Sequence, residues 1–409
     1  MPGHSISTVE YQPDEYTVRR PTRWLQVVSR VDPKFGGISA LIPRLSKGAN
    51  AAGTQVTIAG FCGPDEDTHE LDGQGVPFSI FPLGRMCWHR DRLLRERFSK
   101  LLQSADGLHI HGIWDEHCCA SGSLARSSGK PYIVSVHGML ERWAVEHKWL
   151  KKRLYSLLIE RPNLRDAACL HALTRAELED YRRYGLKNPV AIIPNGVDVP
   201  PVANPEIFLQ ANPQLRGKRL VVFLSRIHYK KGLDILCKAW CNLHRKFVDA
   251  HLVLAGPDVE NTRSAVQACI HELGIDASVS FTGMLRDGMK WSALAAAELF
   301  VLPSYSEGFS VAVLEAMGMG VPVVISRPCN FPEVENEGCG FVIDANAAEL
   351  QDALSHLLNA SHSDLMQMGE RGRQLVAARY TWSVIGRQIS ALYDWVLGGP
   401  EPTTVPVFQ

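Results

Sequence analysis

No uncharged apolar run in this chain reaches the roughly eighteen residues that a membrane-spanning helix needs. The nearest stretch, Leu302 to Ser326, is interrupted by Glu307 and Glu315. Nor is there an excess of charge: 43 Lys plus Arg balance 43 Asp plus Glu, so no overall field attracts nucleic acid or an acidic partner. CxxC spacing is absent among the 10 cysteines, and only Cys118 and Cys119 are adjacent. That suits buried or free thiols in a reducing compartment better than a disulfide frame. The first 23 residues lack the basic-then-apolar pattern of an export signal and are expected to form a polar, mobile leader. The cytoplasm is therefore the expected location. Finally, no G-x-G-x-x-G follows a strand-like run, which removes the fingerprint of a dinucleotide-dependent dehydrogenase.

The 409 residues, 45% of them hydrophobic, are enough for two α/β domains. From Trp24, "WLQVVSRV", a Gly-Gly loop, "ISALIPRLSKGANAAG" and "TQVTIAG" read as strand, helix, strand. Short apolar runs recur at "GLHIHGIW", "PYIVSVHG", "ACLHALT" and "VAIIPNGV", with helix-like segments between them such as Lys148 to Arg161. This alternation predicts a doubly wound parallel sheet over 24–199. Pro200, Pro201 and Pro205 then predict a stiff, non-helical hinge, after the turn-forming Asn195-Gly196. The pattern restarts with "KRLVVFLSRI" and continues through "AHLVLAGP", "VSFTGML", "LFVLPSY" and "VPVVIS", a second such domain over 200–381. Residues 382–409 add an amphipathic helix that can pack on either domain, and a Pro-containing tail expected to fray. In open α/β sheets ligands bind beyond the carboxyl ends of the strands, so chemistry is sought in those loops.

In "SYSEGFSVAVLEAMGMG" a loop leads into a helix, so the N–H groups near Phe309 to Val311 form an anion site at a helix N-terminus. Glu315 lies about 7–8 Å along the axis from Ser310 at roughly 1.5 Å per residue. A phosphate flanked by two polyols fits that spacing, because carboxylates accept strongly from hydroxyl pairs. A capping Glu307 and a Glu315 paired to a nearby cation fit it too. "SRIHYKKG" places Arg226 and Lys231 at a strand end, where they either neutralise a diphosphate or form a solvated basic loop, with Lys230 turned to solvent. Gly36 and Gly37 open a helix, as a tight turn or as a close approach to phosphate. His137 in "IVSVHGML" ends a strand and is either structural or cleft-facing. The cluster His109, His111, Asp115, His117, Cys118 and Cys119 fits no common zinc spacing, and no metal site is expected. His111 and Trp114 are candidates for the side of the cleft that takes the acceptor.

Taken together, the two glutamates, the Gly-Phe between them, "EAM" and "GVPVV" resemble the E-x(7)-E signature of the retaining family-four glycosyltransferases, of the bacterial polysaccharide-biosynthesis type. The likeness extends from about Trp24 to Trp382. It implies a GT-B fold, two Rossmann-like domains facing across a cleft, with 24–199 on the acceptor side and 200–381 binding the nucleotide sugar. It implies that Glu307, Gly308, Phe309, Ser310 and Val311 hold the donor sugar and its phosphate, and that Glu315 binds the ribose. Arg226 and Lys231 then stabilise the diphosphate, Gly36 and Gly37 lie over it, and Gly283 and Met284 flank the base. His137 would orient the transferred sugar without acting as a nucleophile.

The expected activity is transfer of a hexose from a nucleotide-diphosphate sugar to a hydroxyl of a glycan or lipid-linked glycan, with retention, without metal or other cofactor, in exopolysaccharide or surface-glycan assembly. A phosphorylase or epimerase on the same scaffold, or a non-catalytic nucleotide-sugar-binding protein, are the alternatives. Two basic amphipathic stretches, 85–100 and 142–165, either lie on an anionic membrane at the inner face of the cytoplasmic membrane or form solvated helix faces.

Overall fold

The structure is a computed structural model that describes residues 20–31, 37–63, 75–82, 91–141, 159–200 and 202–409. Among the described residues, fourteen strands fall into two sheets. The first contains β1 (Arg23–Val28), β2 (Gln55–Cys62), β3 (Phe78–Pro82), β4 (Gly107–His111), β5 (Tyr132–Ser135), β6 (Cys169–Ala172), β7 (Val190–Ile192) and β14 (Val407–Phe408). The second contains β8 (Arg219–Leu224), β9 (Ala250–Ala255), β10 (Val279–Gly283), β11 (Ala297–Leu302), β12 (Val323–Ser326) and β13 (Gly340–Ile343). The orders are β14-β7-β6-β5-β4-β1-β2-β3 and β10-β9-β8-β11-β12-β13. Every pairing is parallel except β14 with β7.

The strands are continuous apolar runs because helices cover both faces of each sheet, and no alternation is needed. β8, β9 and β11 bury nearly every side chain, and Trp240, Phe223, Phe300 and Phe208 fill the second core. In each sheet the order reverses about the first strand, between β1 and β4 and between β8 and β11. A crevice forms at such a reversal, since the loops leaving the two strands diverge to opposite faces. The loop after β8 carries Arg226 and Lys231, and the loop after β11 carries Glu307. Two motifs far apart in sequence are thereby brought to one point.

The helix Trp382–Val396 returns to the first half of the chain and lies along the helix Gly37–Ala51. The crossing needs glycine on both sides, since a Cβ on Gly386 would come within 2.1 Å of the Gly48 backbone. Tyr393 from this helix stacks on Trp24 of β1 with ring centroids 4.0 Å apart.

Two expectations differ from the structure. Pro205 does not extend the hinge; it is the first residue of the helix Pro205–Ala211, capped by Asn204, a position where the missing N–H costs nothing. The tail does not fray: Val405 is buried and β14 adds an antiparallel edge to β7, which gives that edge backbone partners. Gly36, most of the leader, residues 85–90 of the first basic stretch and residues 142–158 of the second lie outside the described residues, while the rest of the first stretch enters the helix Arg92–Ser104.

Candidate active site

The helix Val311–Gly318 begins directly after Ser310, whose side chain makes no cap hydrogen bond. Its first N–H groups therefore remain available to a ligand, and the helix dipole favours an anion there. Glu307 lies in the loop just before it. One carboxylate oxygen of Glu307 accepts from the Lys231 ammonium at 2.6 Å and from the Ser304 hydroxyl at 2.9 Å. Both partners of this ion pair are almost enclosed, with side chains 9% and 10% exposed. Asn330 fixes the loop by donating to the Glu307 carbonyl at 2.7 Å. Arg226, on the same loop as Lys231, is exposed.

Glu315 is on the buried face of its helix, 6% exposed, and takes the Lys290 ammonium at 2.5 Å. Lys290 stands on the helix Asp287–Ala296 that follows β10, so the loop with Gly283 and Met284 leads directly to it. Gly283 has φ 73, a left-handed turn, and Met284 is exposed. Lys290 and Ser304 were not legible as site residues, because their partners are fixed only by packing between elements.

Across the cleft, β4 and β5 end side by side. His111 and His137 share a ring-to-ring hydrogen bond of 3.1 Å. His137 has φ 51, rare for a residue with a side chain, and is half-buried. His111 is 1% exposed and supports His137 from within the protein, so it does not line the open cleft. Trp114 is partly exposed, with φ 68; its indole N–H donates to the Met139 carbonyl at 3.3 Å and its backbone N–H to Glu160 at 3.0 Å.

Two residues deeper along both strands runs a chain of buried hydrogen bonds. His171 Nε2 meets the Ile193 carbonyl at 2.7 Å, and a carbonyl only accepts, so Nε2 carries the proton. His171 Nδ1 must then accept from the Ser135 hydroxyl at 2.7 Å. Ser135 in turn accepts from His109 Nε2 at 2.7 Å, and His109 Nδ1 accepts from the Tyr393 hydroxyl at 2.8 Å. Gln26 donates to Tyr393 at 2.9 Å, and Ser46 donates to Gln26 at 2.8 Å. With neutral imidazoles, every direction follows from the last carbonyl. Burial points the same way: it pushes His171 down to about 4 and, aided by the charge His171 would carry, His137 down to about 3. His109 and His111 are also lowered well below the usual range, chiefly by burial.

A cavity of about 400 Å³ lies between the two halves, lined on one side by Gly138, Glu141 and Glu177 and on the other by Ser306, Glu307 and Gly308. Ser306 donates to Glu141 across it at 2.7 Å. A larger cavity of about 1060 Å³ lies against the helix His362–Arg379 and includes none of the expected donor residues. Among the described residues, no group of three or more His, Cys, Asp or Glu is arranged to hold a metal ion. No helix among them is long and apolar enough to cross a membrane.

The arrangement offers an open helix N-terminus, the Glu307–Lys231 pair in the loop before it, Arg226 exposed on the loop of Lys231, Glu315 further along the helix, and the His137–Gly138 turn close to Gly308. Comparisons with known proteins fit it. Residues 206–375 match the family described as glycosyl transferases group 1, and residues 36–196 match the glycosyl transferase 4-like domain. A phosphatidyl-myo-inositol mannosyltransferase of Mycobacterium leprae is 27% identical over 399 residues, 88% of this chain and 93% of that one. An MMP alpha-(1->4)-mannosyltransferase of Mycolicibacterium hassiacum is 28% identical over 297 residues, 69% of this chain and 70% of that one. Among solved structures, Anabaena HepE in complex with UDP and glucose aligns with TM-score 0.73 at 17% identity, covering 91% of this chain and 100% of that one. Sucrose-phosphate synthase of Thermosynechococcus elongatus aligns with TM-score 0.71 at 20% identity, covering 92% and 99%.

Proposed function

We propose, from the premise that this chain belongs to the GT-B glycosyltransferases of family four and moves a sugar from a nucleotide sugar, that the sugar is a hexose and the acceptor a hydroxyl of a glycan or lipid-linked glycan. The observation that carries this reading is the convergence of Glu307, Lys231 and the open N-terminus of the helix Val311–Gly318 at the crevice between β8 and β11.

In this reading the diphosphate lies on the N–H groups of Phe309 to Val311. Lys231 and Arg226 neutralise the charge that grows on it as the glycosidic bond breaks. These fixed positive groups take the role that a divalent ion plays elsewhere, so the reaction runs without metal. Glu315 accepts the ribose hydroxyls once Lys290 yields its place, and Glu307 accepts hydroxyls of the transferred sugar. His137 orients that sugar from the opposite wall. The Ser306–Glu141 contact closes the cleft and excludes water that would hydrolyse the donor. The acceptor approaches on the Trp114 side, and the reaction retains the anomeric configuration.

A lipid-linked acceptor places the enzyme at the inner face of a membrane, with which the basic stretches 85–100 and 142–165 make contact. The mannosyltransferase names of the relatives support a glycolipid product. The test is incubation with GDP-mannose and with UDP-glucose, with and without EDTA. Proton NMR of the product reads the anomer. Retained configuration and undiminished rate in EDTA are expected; inversion, or full dependence on a divalent ion, would overturn the corresponding part.

A further inference from the structure

The helix Arg175–Arg183 starts with Thr-x-x-Glu, Thr174 to Glu177. Thr174 accepts the Glu177 N–H at 3.3 Å, as a capping threonine does. In a capping box the glutamate accepts the N–H of the N-cap residue itself. Here Oε2 reaches one residue further back, accepting the Leu173 N–H at 2.7 Å. Oε1 instead leaves the helix and accepts the Gly138 N–H at 2.6 Å, on a loop 39 residues earlier. Glu177 is 5% exposed, so this second contact is made out of water.

Gly138 directly follows His137, and both are left-handed, with φ 75 and φ 51. A residue with a side chain stays in that conformation only where its surroundings impose it. The turn also faces the donor loop: a Cβ on Gly138 would come to 3.9 Å from the Gly308 Cα. We propose that Glu177 is the positioning residue of the His137–Gly138 turn, fixing the backbone that holds the His137 ring against His111 and opposite the donor loop. The functional weight of this inference rests on the reading of His137 given above.

The role needs the ionised carboxylate. Both oxygens accept from N–H groups, and a proton on either would set an O–H against an N–H. Burial raises the Glu177 carboxyl to about 7, with Asp180 and Glu141 nearby adding to the rise. Tyr181 also lies close, and Arg183 pairs with Asp180. The carboxylate therefore predominates above about pH 7 and is lost as pH falls. His137 stays neutral throughout that range, so it does not produce the same pH limb.

The experiment compares the wild type, Glu177→Gln and His137→Ala. Side-chain ¹⁵N NMR is recorded on histidine-labelled protein, and hydrolysis of GDP-mannose and UDP-glucose is followed from pH 5.5 to 8.5. Glu177→Gln keeps one acceptor but sets an NH2 against the other N–H. It is expected to move the His137 and His111 ring signals and leave those of His109 and His171 in place. It is expected to lower kcat on the order of 10- to 100-fold, the scale of a small misplacement, while KM for the donor stays within about twofold. The acidic limb near pH 7 disappears, and Tm at pH 8 is retained because the substitution also removes a buried charge.

Unmoved His137 signals would overturn the proposal, as would a shift of all four histidines together with a fall in Tm, which would mark a general folding role. If His137→Ala keeps full turnover while Glu177→Gln moves the ring signals, the positioning stands and the catalytic reading of His137 falls. If His137→Ala abolishes turnover and Glu177→Gln does not lower it, the positioning proposal falls.

Discussion

Replacing Lys231 by methionine keeps the length of the side chain and removes its charge, leaving the Glu307 carboxylate enclosed with only the Ser304 hydroxyl. Breaking a buried ion pair from one side costs about 3–5 kcal/mol, because the remaining charge has lost its partner and not regained water. Two features place this case at the low end. Each side chain keeps about a tenth of its surface exposed, and the Ser304 hydrogen bond survives. The expected cost is therefore about 3 kcal/mol. For a half of the chain in the range of 150–250 residues, each kcal/mol lowers Tm by about 2–4 °C, so the melt should fall by about 6–12 °C.

The double variant Lys231→Met/Glu307→Gln removes both charges together. It should melt well above the sum of the two single losses, with a coupling of about 1–3 kcal/mol. Calorimetry on the four proteins gives the cycle, and a nucleoside diphosphate added to each shows whether the ligand still raises Tm. The wild type should respond to the ligand and Lys231→Met should respond weakly. Additive losses, or a Lys231→Met melt within about 1 °C of the wild type, would refute the reasoning that this pair is enclosed and mutually dependent.

Glu315→Ala should weaken nucleoside diphosphate binding about 10- to 100-fold, the worth of one or two charge-assisted hydrogen bonds less what the freed Lys290 recovers; Glu307→Ala should spare that affinity and lower turnover. Calorimetric titration separates the two, and the reverse pattern would exchange the assigned roles. The neutral histidines predict acid sensitivity: protons that His171 and His137 refuse in the fold, at about 4 and 3, are taken up by the unfolded chain near the ordinary 6.5. Their contribution to stability is complete above pH 6.5 and is lost as pH falls toward 4. Tm measured across that window should drop steeply, with part of the slope removed in His171→Gln; a flat profile would contradict it. Tyr393→Phe leaves His109 Nδ1 without a donor and the Gln26 N–H without an acceptor, at a cost of about 3 kcal/mol for the two buried groups. Urea unfolding measures it, and a loss below about 0.5 kcal/mol would mean that the chain is not continuous.

The two sheets were legible because buried parallel strands announce themselves as apolar runs, and "VVFL" or "LVLA" need no partner to be recognised. The glutamate pair was legible because both residues lie on one short loop and helix, where spacing is geometry. Lys290 was not, since its place against Glu315 depends on how the helix after β10 packs on the helix after β11. The alternation in "HIH" puts His109 and His111 on one face of β4, yet Ser135, His171 and Tyr393 reach them only through the strand order and the returning helix. β14 is two residues long and exists because β7 offers an open edge, a fact that belongs to the sheet and not to the tail. Glu177 did leave a signal in Thr-x-x-Glu, but that pattern speaks of a helix start and says nothing of Gly138.

The central claim is that the crevice between β8 and β11 receives the nucleotide of the donor. A crystal structure of the protein soaked with UDP or GDP tests it most directly. The account predicts ribose hydroxyls on Glu315 in place of Lys290, and the diphosphate on the backbone N–H groups of Phe309 to Val311 with Lys231 and Arg226 beside it. A nucleotide bound elsewhere, or bound here with Glu315 still paired to Lys290, would contradict it.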